Sequence, residues 1–143
     1  GILVKCKNEV LLCKRNKFGS NLGSWSIPAG KLNKNELPFL GAKREFFEET
    51  NIVPLEKIKL CGVINRKTKD NLKNKGLMYV YLMEIDEKIY PNLTKAKDGN
   101  EHSECDYFTL KNNPIEDKNN QLYILIKNIL SKTWFFLKKP IFI

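Results

Sequence analysis

The chain has 143 residues, of which 42% are hydrophobic, and a formal net charge of +9 from 25 basic and 16 acidic side chains. This length fits one domain with a sizeable core and excludes a second, so we expect a single domain over residues 1–143. The positive surplus favours an anionic partner such as nucleotide phosphates or nucleic acid, and the excess of lysine and asparagine is equally typical of AT-rich coding.

Two short apolar runs at residues 2–6 and 10–14 flank a polar turn and predict a β-hairpin. Glycine and serine punctuate residues 16–24, which predicts a loop, and a short strand over residues 25–27 follows it. The loop is a candidate wall for a substrate pocket.

A helix is predicted to start near Pro38, because proline is accepted in the first helical turn and Asn35 or Glu36 can cap it. Asn51 is expected to end the helix, since asparagine tolerates the left-handed conformation that follows many helices. Three apolar side chains are expected to anchor the helix in the core: Leu40, Phe46 and Phe47.

Alternating apolar and polar residues over 58–64 predict a half-buried strand, and residues 77–85 predict the next one. The segment between them, residues 65–76, has five basic side chains and a single aspartate. Such a hairpin tip could contact phosphates or RNA, although solvated turns commonly have the same composition.

Residues 86–104 are expected to form an irregular link, residues 105–110 a strand, and residues 121–131 a second helix with apolar side chains at helical spacing. The apolar tail at 134–137 and 141–143 predicts either a cover for the core or a homodimer contact. Strands on both sides of the first helix, with a second helix near the end, predict an α+β fold with a mixed sheet between helices.

The four cysteines show neither the paired spacing of a zinc site nor a dense disulfide pattern. We therefore expect free thiols in a reducing compartment, with the cytoplasm as the default location. No stretch is long and apolar enough to cross a bilayer and no leader sequence is recognisable, so we expect no membrane association. The cysteines are Cys6, Cys13, Cys61 and Cys105.

Three glutamates of the predicted helix share one face. Glu45, Glu48 and Glu49 fall at positions i, i+3 and i+4, so a helix presents their carboxylates side by side. Like charges at this spacing repel, and a hard divalent cation bound by oxygen atoms would relieve the repulsion. The alternative is a solvated acidic face on an amphipathic helix.

The wider segment, residues 30–52, adds a glycine and a glutamate upstream and an arginine directly before Glu45. This pattern resembles the box of the Nudix hydrolases, with Asn51 at the position of the family's second glycine. The resemblance is specific from about Arg15 to Ile52. It disfavours the alternative that the three glutamates only form a solvated acidic face. The matching positions are Gly30, Glu36, Arg44, Glu45, Phe46, Glu48, Glu49 and Ile52.

The resemblance implies an α/β/α sandwich in which the box forms a loop-helix-loop beside the mixed sheet. It also implies hydrolysis of a phosphoanhydride in a nucleoside diphosphate derivative by attack of water on phosphorus. Such a substrate is densely anionic, so Mg²⁺, or alternatively Mn²⁺, is the implied cofactor.

The resemblance also assigns roles inside the box. Arg44 is expected to orient a box carboxylate as structural support for catalysis, through a bidentate pair that could involve Glu36. The implied metal ligands are Glu45, Glu48, Glu49 and a backbone carbonyl of Ala29 or Gly30.

The general base has several candidates. Relatives use either a box glutamate, here Glu45 or Glu48, or a carboxylate before the strand predicted at Cys105. We select Glu104 among the latter, for its position relative to Tyr107 and Phe108; the others are Glu101 and Asp106. His102 is the only histidine, and we expect it to be exposed because a lone histidine in a polar loop usually is.

The run from Asn8 to the box aligns without gaps with mutator-type nucleoside triphosphate pyrophosphohydrolases, whose residue at the Arg15 position contacts phosphate. Lys31 and Asn119 are also assigned to substrate binding, Asn119 because an amide pairs well with a purine edge. The preferred function is conversion of a nucleoside triphosphate to monophosphate and pyrophosphate. Two alternatives are a pyrophosphohydrolase of RNA 5′ ends and a catalytically silent nucleotide-binding Nudix fold, which the intact glutamates disfavour.

Overall fold

The computed structural model describes residues 1–16, 23–67, 74–131 and 141–142. No helix among these residues is long and apolar enough to span a membrane. The elements follow in this order: β1 (Ile2–Cys6), β2 (Glu9–Arg15), β3 (Trp25–Ser26), α1 (Pro38–Thr50), β4 (Lys59–Lys67), β5 (Asn74–Ile85), a 3₁₀ turn (Gly99–Glu101), β6 (His102–Phe108), α2 (Gln121–Ile129) and β7 (Ile141–Phe142).

The strands form one mixed sheet. β1 pairs with β2 as the predicted hairpin and runs parallel to β5, which is antiparallel to β4. β2 is antiparallel to both β3 and β6, and β7 lies parallel to β4. The end of β2 therefore lies beside the start of β6, with Arg15 opposite His102.

The two helices cover opposite faces of the sheet. One core cluster packs around Phe46 of α1, and the other packs around Leu125 of α2. Strand residues alternate between the two, since Leu11 belongs to the α1 side and Leu12 to the α2 side. This arrangement confirms the predicted α+β sandwich with a mixed sheet.

Helix α1 begins at Pro38, as the sequence predicts, but its cap differs. Leu37 is the N-cap and makes no side-chain capping bond, so neither Asn35 nor Glu36 has that role. At the other end Asn51 adopts the predicted left-handed conformation, with φ of 61°, and its N–H donates to Phe47 O at 2.8 Å. Asparagine thus substitutes for glycine at the helix end.

The anchoring of α1 differs from the prediction at two of three positions. Phe46 is fully buried, whereas Leu40 is 53% and Phe47 45% exposed. The buried side of α1 faces the sheet, and its residues recur at the 3.6-residue period of a helix. They include Ala42, Phe46, Glu49 and Thr50. Leu40 and Phe47 lie seven residues apart on the outer side, so the expectation that they anchor the helix is wrong.

Three segment boundaries also differ. β4 and β5 extend further into the predicted turn, and its remaining residues, 68–73, lie outside the described ranges. β6 starts three residues before the predicted Cys105. Of the apolar tail, residues 141–142 form β7 on the edge of β4, while the homodimer contact stays a prediction.

Cys13 and Cys105 form a disulfide, while Cys6 and Cys61 are free and buried. The bonded residues lie directly opposite each other in the β2–β6 register, which places their side chains on one face of the sheet. The expectation of four free thiols is therefore wrong, and the cysteines do not indicate a reducing compartment. Because 92 residues separate the two cysteines, only strand pairing reveals their proximity.

Candidate active site

The loop after β3 lies against the carboxylates of α1. A Cβ atom on Gly30 would lie 2.6 Å from Glu45 Oε1 and overlap the rest of that carboxyl group. Only glycine therefore lets Glu45 approach the loop so closely. The backbone of the neighbouring Ala29 lies close to the Glu49 carboxylate. The two residues whose carbonyl oxygens are candidate metal ligands, Ala29 and Gly30, thus lie beside the candidate ligands Glu49 and Glu45.

Arg44 links the box glutamates to one another. Its Nε and Nη2 donate to the two Glu36 oxygens at 2.8 and 2.9 Å, which confirms the bidentate pair. Nη1 donates to Glu45 Oε1 at 2.8 Å and Glu48 Oε2 at 3.0 Å, and Nη2 also reaches Lys31 O at 3.1 Å. The Arg44 guanidinium lowers the pKa of Glu36 to about 2, and pairing with Glu36 raises the pKa of Arg44. Arg44 therefore holds together carboxylates that would otherwise repel.

Glu49 is the most buried of the three helix glutamates, with only 2% of the residue exposed. Its Oε1 lies 3.2 Å from His102 Nε2, while its Oε2 has no hydrogen-bond partner among the described residues. Burial raises the pKa of Glu49 to about 9, and the neighbouring carboxyls of Glu101 and Glu45 contribute. A buried carboxyl oxygen without a donor is suited to accept a cation.

His102 is 5% exposed, so the expectation of an exposed histidine is wrong. It begins β6 rather than lying in a loop, and its ring packs beneath α1 against Glu49. Burial lowers the pKa of His102, which favours a neutral ring sharing one proton with the Glu49 carboxyl. No local signal marks this burial, because the adjacent residues Glu101 and Ser103 are both polar.

The three carboxylates considered as general base lie in different places. Glu101 approaches Glu49 within hydrogen-bonding reach, and its carbonyl accepts from Asn16 N–H at 2.9 Å. Glu104 and Asp106 are exposed, and they lie opposite Lys14 and Leu12, which places them on the α2 side of the sheet. Cys105 and Tyr107 belong to the α1-side cluster, so strand alternation points their neighbours Glu104 and Asp106 away from α1. The geometry favours Glu101 over the selected Glu104.

Arg15 lies at the end of β2, next to this carboxylate group. A register shift between Lys14 and Arg15 leaves Arg15 opposite His102. Its positive charge adds to the lowering of the His102 pKa that burial mainly causes. The Arg15 N–H donates to Ser24 O at 2.8 Å, which ties the end of β2 to the start of β3. Arg15 is thus close to the box, as a phosphate-binding residue requires.

The two other predicted substrate contacts lie at the surface. Lys31 is exposed beside the box and lines a cavity with Leu32 and Tyr79. Asn119 is exposed in the turn before α2, where its N–H donates to Asp117 Oδ1 at 2.9 Å. Lys31 therefore borders the carboxylates, whereas Asn119 lies at the start of the helix on the other face of the sheet.

The donor set fits a hard divalent cation. Arg44 bonds one oxygen of Glu45 and one of Glu48, which leaves the second oxygen of each outside these bonds, although that of Glu48 lies 3.7 Å from Lys97 Nζ. Glu49 Oε2 has no hydrogen-bond partner among the described residues. Carboxylate and carbonyl oxygens are the ligands that Mg²⁺ and Mn²⁺ prefer. Within the described ranges, no three such side chains already converge at metal-ligand spacing. Metal binding would therefore require side-chain adjustment at Glu45 and Glu48.

Solved structures with the same fold include both hydrolases and a nucleotide-binding domain. A MutT NUDIX hydrolase from Burkholderia pseudomallei has a TM-score of 0.72 and 23% identity, over 90% of this chain and 94% of that chain. The NUDIX domain of Shewanella oneidensis NrtR, complexed with ADP ribose, has a TM-score of 0.67 and 17% identity, over 91% and 85%. A C. elegans Ap4A hydrolase has a TM-score of 0.63 and 16% identity, over 97% and 98%.

A search of curated proteins finds no match to the chain. The model of the NUDIX domain matches residues 1–128, which is most of the 143-residue sequence. The Arg44-centred glutamates lie within that match, on the helix and loop where the box was predicted. The chain therefore belongs to the NUDIX family and has the fold of its hydrolases, which act on phosphorus-containing anhydrides.

Proposed function

We propose that the protein is a metal-dependent hydrolase of nucleoside diphosphate derivatives, with a nucleoside triphosphate, cut to monophosphate and pyrophosphate, as the first candidate substrate. The supporting observation is Glu49, which is buried and has an oxygen that no described donor reaches. Burying such a group costs stability, so its presence on the same helix face as Glu45 favours a role in binding a cation. A catalytically silent fold has no need of this arrangement.

The metal ligands are proposed on the same basis. When bound, Mg²⁺ or Mn²⁺ neutralises substrate phosphates and lowers the pKa of the attacking water. Both ions prefer oxygen ligands such as carboxylates and carbonyls. The residues assigned to the cation are Glu45, Glu48, Glu49 and a carbonyl of Ala29 or Gly30.

The remaining residues prepare the substrate and the water. Arg44 orients Glu45 and Glu48, and Arg15 binds phosphate oxygens next to the carboxylates. Glu101 accepts the proton of the attacking water as oxygen bonds to phosphorus and the bridging P–O bond breaks. This role moves from Glu104 to Glu101 because Glu101 approaches Glu49. Lys31 and Asn119 are assigned to phosphate and base contacts respectively.

RNA with a 5′ triphosphate or cap is the second candidate substrate. The net charge of +9 favours a polyanion, because every neutralised phosphate adds to affinity through counterion release. RNA binding that weakens steeply with salt would support this candidate. Salt-independent or undetectable binding would remove it.

The test is a substrate screen with Mg²⁺ and, separately, Mn²⁺. The panel comprises nucleoside triphosphates, dinucleoside polyphosphates, nucleotide sugars, ADP-ribose and 5′-triphosphorylated RNA, with released phosphate or pyrophosphate as the readout. We expect turnover of at least one nucleotide and none after chelation. Absence of turnover across the panel, with protein shown to be folded, would overturn the proposed activity.

A further inference from the structure

The segment of residues 92–101 closes the C-terminal end of α1. Asn92 N–H donates to Thr50 O at 2.9 Å, and Asp98 N–H donates to Glu48 O at 2.7 Å. The last carbonyls of a helix lack partners within it, so these bonds attach the segment to the helix end. Lys97 Nζ also lies 3.7 Å from Glu48 Oε1. The segment is therefore fixed to the helix that contains the box glutamates.

The same segment is fixed at its other end to the sheet. The Glu101 carbonyl accepts from Asn16 N–H at 2.9 Å, just after β2. The next residue, His102, begins β6 and contacts Glu49 through Nε2. Glu101 therefore lies between two anchored points, one on the sheet and one on α1.

Gly99 allows the segment to fold tightly enough to reach both points. A Cβ atom on Gly99 would lie 2.7 Å from the backbone carbon of Leu93 and overlap its carbonyl oxygen. Backbone atoms cannot rotate out of the way as a flexible side chain can, so a larger residue would force residues 93 and 99 apart. The tight fold is internally bonded, with Gly99 N–H donating to Ala96 O at 3.2 Å and Glu101 N–H to Asp98 O at 3.1 Å.

We propose that Gly99 is a positioning residue that fixes the Glu101 carboxylate beside Glu49. The inference rests on the proposed metal-dependent hydrolysis. Displacing the backbone at residue 99 moves Glu101, which is two residues further along the chain. Mg²⁺ demands near-ideal octahedral geometry, so a displaced carboxylate next to its ligands weakens both metal binding and water activation.

The test compares Gly99→Ala with Gly76→Ala. Gly76 has φ of +95° and no atom of the described residues within 4 Å of its Cβ position, so alanine there strains the backbone without overlapping any of them. Mn²⁺ binding without substrate is measured by electron paramagnetic resonance, and kcat and KM with Mg²⁺ are measured on the best nucleotide. We expect Gly99→Ala to weaken Mn²⁺ binding and lower kcat, each about 10-fold or more, with KM within about two-fold. Gly76→Ala should resemble the wild type in all three.

Two further variants identify the route of the effect. If Gly99 acts through Glu101, the double variant Gly99→Ala/Glu101→Gln should be no worse than Glu101→Gln alone. Asn92→Ala provides a milder change if Gly99→Ala fails to fold, because it removes only the Asn92 Oδ1 acceptor of Lys95 N–H. It should shift metal binding and kcat in the same direction by a smaller factor.

The outcomes separate this inference from the proposed function. A wild type that binds no Mn²⁺ and hydrolyses nothing overturns both. A wild type that does both, with folded Gly99→Ala or Asn92→Ala matching it, overturns the positioning role alone. Additive losses in the double variant would also overturn it, since Gly99 would then act independently of Glu101.

Discussion

At the level of single residues, Arg44 determines how the box carboxylates are arranged. Its planar guanidinium bonds both oxygens of Glu36 and one oxygen each of Glu45 and Glu48. A lysine ammonium carries the same charge but lacks the rigid fork that makes two parallel bonds to one carboxylate. The glutamates are thus positioned by shape as well as by charge.

Glu48→Gln tests the metal assignment. The amide keeps the size of the side chain but loses the charge, so we expect kcat with Mg²⁺ to fall about 100-fold or more. Circular dichroism should show an unchanged fold. The control is Glu56→Gln at an exposed position. A Glu48→Gln rate close to that of the wild type would remove Glu48 from the metal site.

Arg15→Ala tests the proposed phosphate contact. Loss of a charge-assisted hydrogen bond should raise KM for the nucleotide about 10-fold or more. Arg15→Lys retains the charge and should fall between alanine and the wild type. Steady-state kinetics at fixed ionic strength give both values. An unchanged KM in Arg15→Ala would exclude Arg15 from the substrate pocket.

The Glu36–Arg44 pair predicts a pH dependence of stability. The Glu36 pKa is lowered from 4.5 to about 2, so its stabilising contribution is complete above pH 4.5 and disappears as pH falls through about 2. Glu36→Gln should therefore have a lower Tm than the wild type at neutral pH. The two Tm values should converge at low pH, in thermal unfolding at low salt. A difference that does not change with pH would assign the effect to packing instead of charge.

At the level of elements, the packing of α1 can be tested with two adjacent phenylalanines. Phe46 is fully buried, whereas Phe47 is 45% exposed. Phe46→Ala leaves a cavity and should lower the free energy of unfolding by about 3–5 kcal/mol. Phe47→Ala should change it by about 0.5 kcal/mol or less. Urea denaturation measures both, and equal effects would contradict the assigned orientation of α1.

The elements that the sequence predicted best are those with local signals. Two short apolar runs around a polar turn identify the first hairpin, and Pro38 and Asn51 mark the ends of α1. The box spacing identified the glutamates that Arg44 joins. Local patterns did not reveal that Leu40 and Phe47 face outward, because an apolar residue on a helix does not specify which side packs.

The features that the sequence did not predict depend on contacts between distant parts of the chain. His102 is buried only because β6 starts there and α1 packs above it, and its polar neighbours indicate a loop. The Cys13–Cys105 bond depends on the β2–β6 register, which no local pattern reveals. The preference for Glu101 over Glu104 also depends on this register, which places Glu104 on the α2 side of the sheet.

At the level of the whole molecule, the disulfide joins two strands that are distant in sequence. Cross-linking residues 92 positions apart restricts the unfolded chain, so reduction should lower the free energy of unfolding by about 2–4 kcal/mol. Cys13→Ala/Cys105→Ala should unfold with the same midpoint with and without reductant. Thiol titration of denatured, unreduced protein should find two thiols, and four would show that the bond does not form.

The ion pairs of Arg44 bear on whether the protein needs a metal ion in order to fold. Many small metal-binding domains stay unfolded until their ion arrives, because the ligands repel one another or lack structure. Here the positive charge that draws Glu36, Glu45 and Glu48 together is part of the chain itself. We therefore expect the newly synthesised polypeptide to reach its native structure without a bound metal ion. Under the proposed function, we expect metal supply to change the activity of the protein much more than the amount of folded protein.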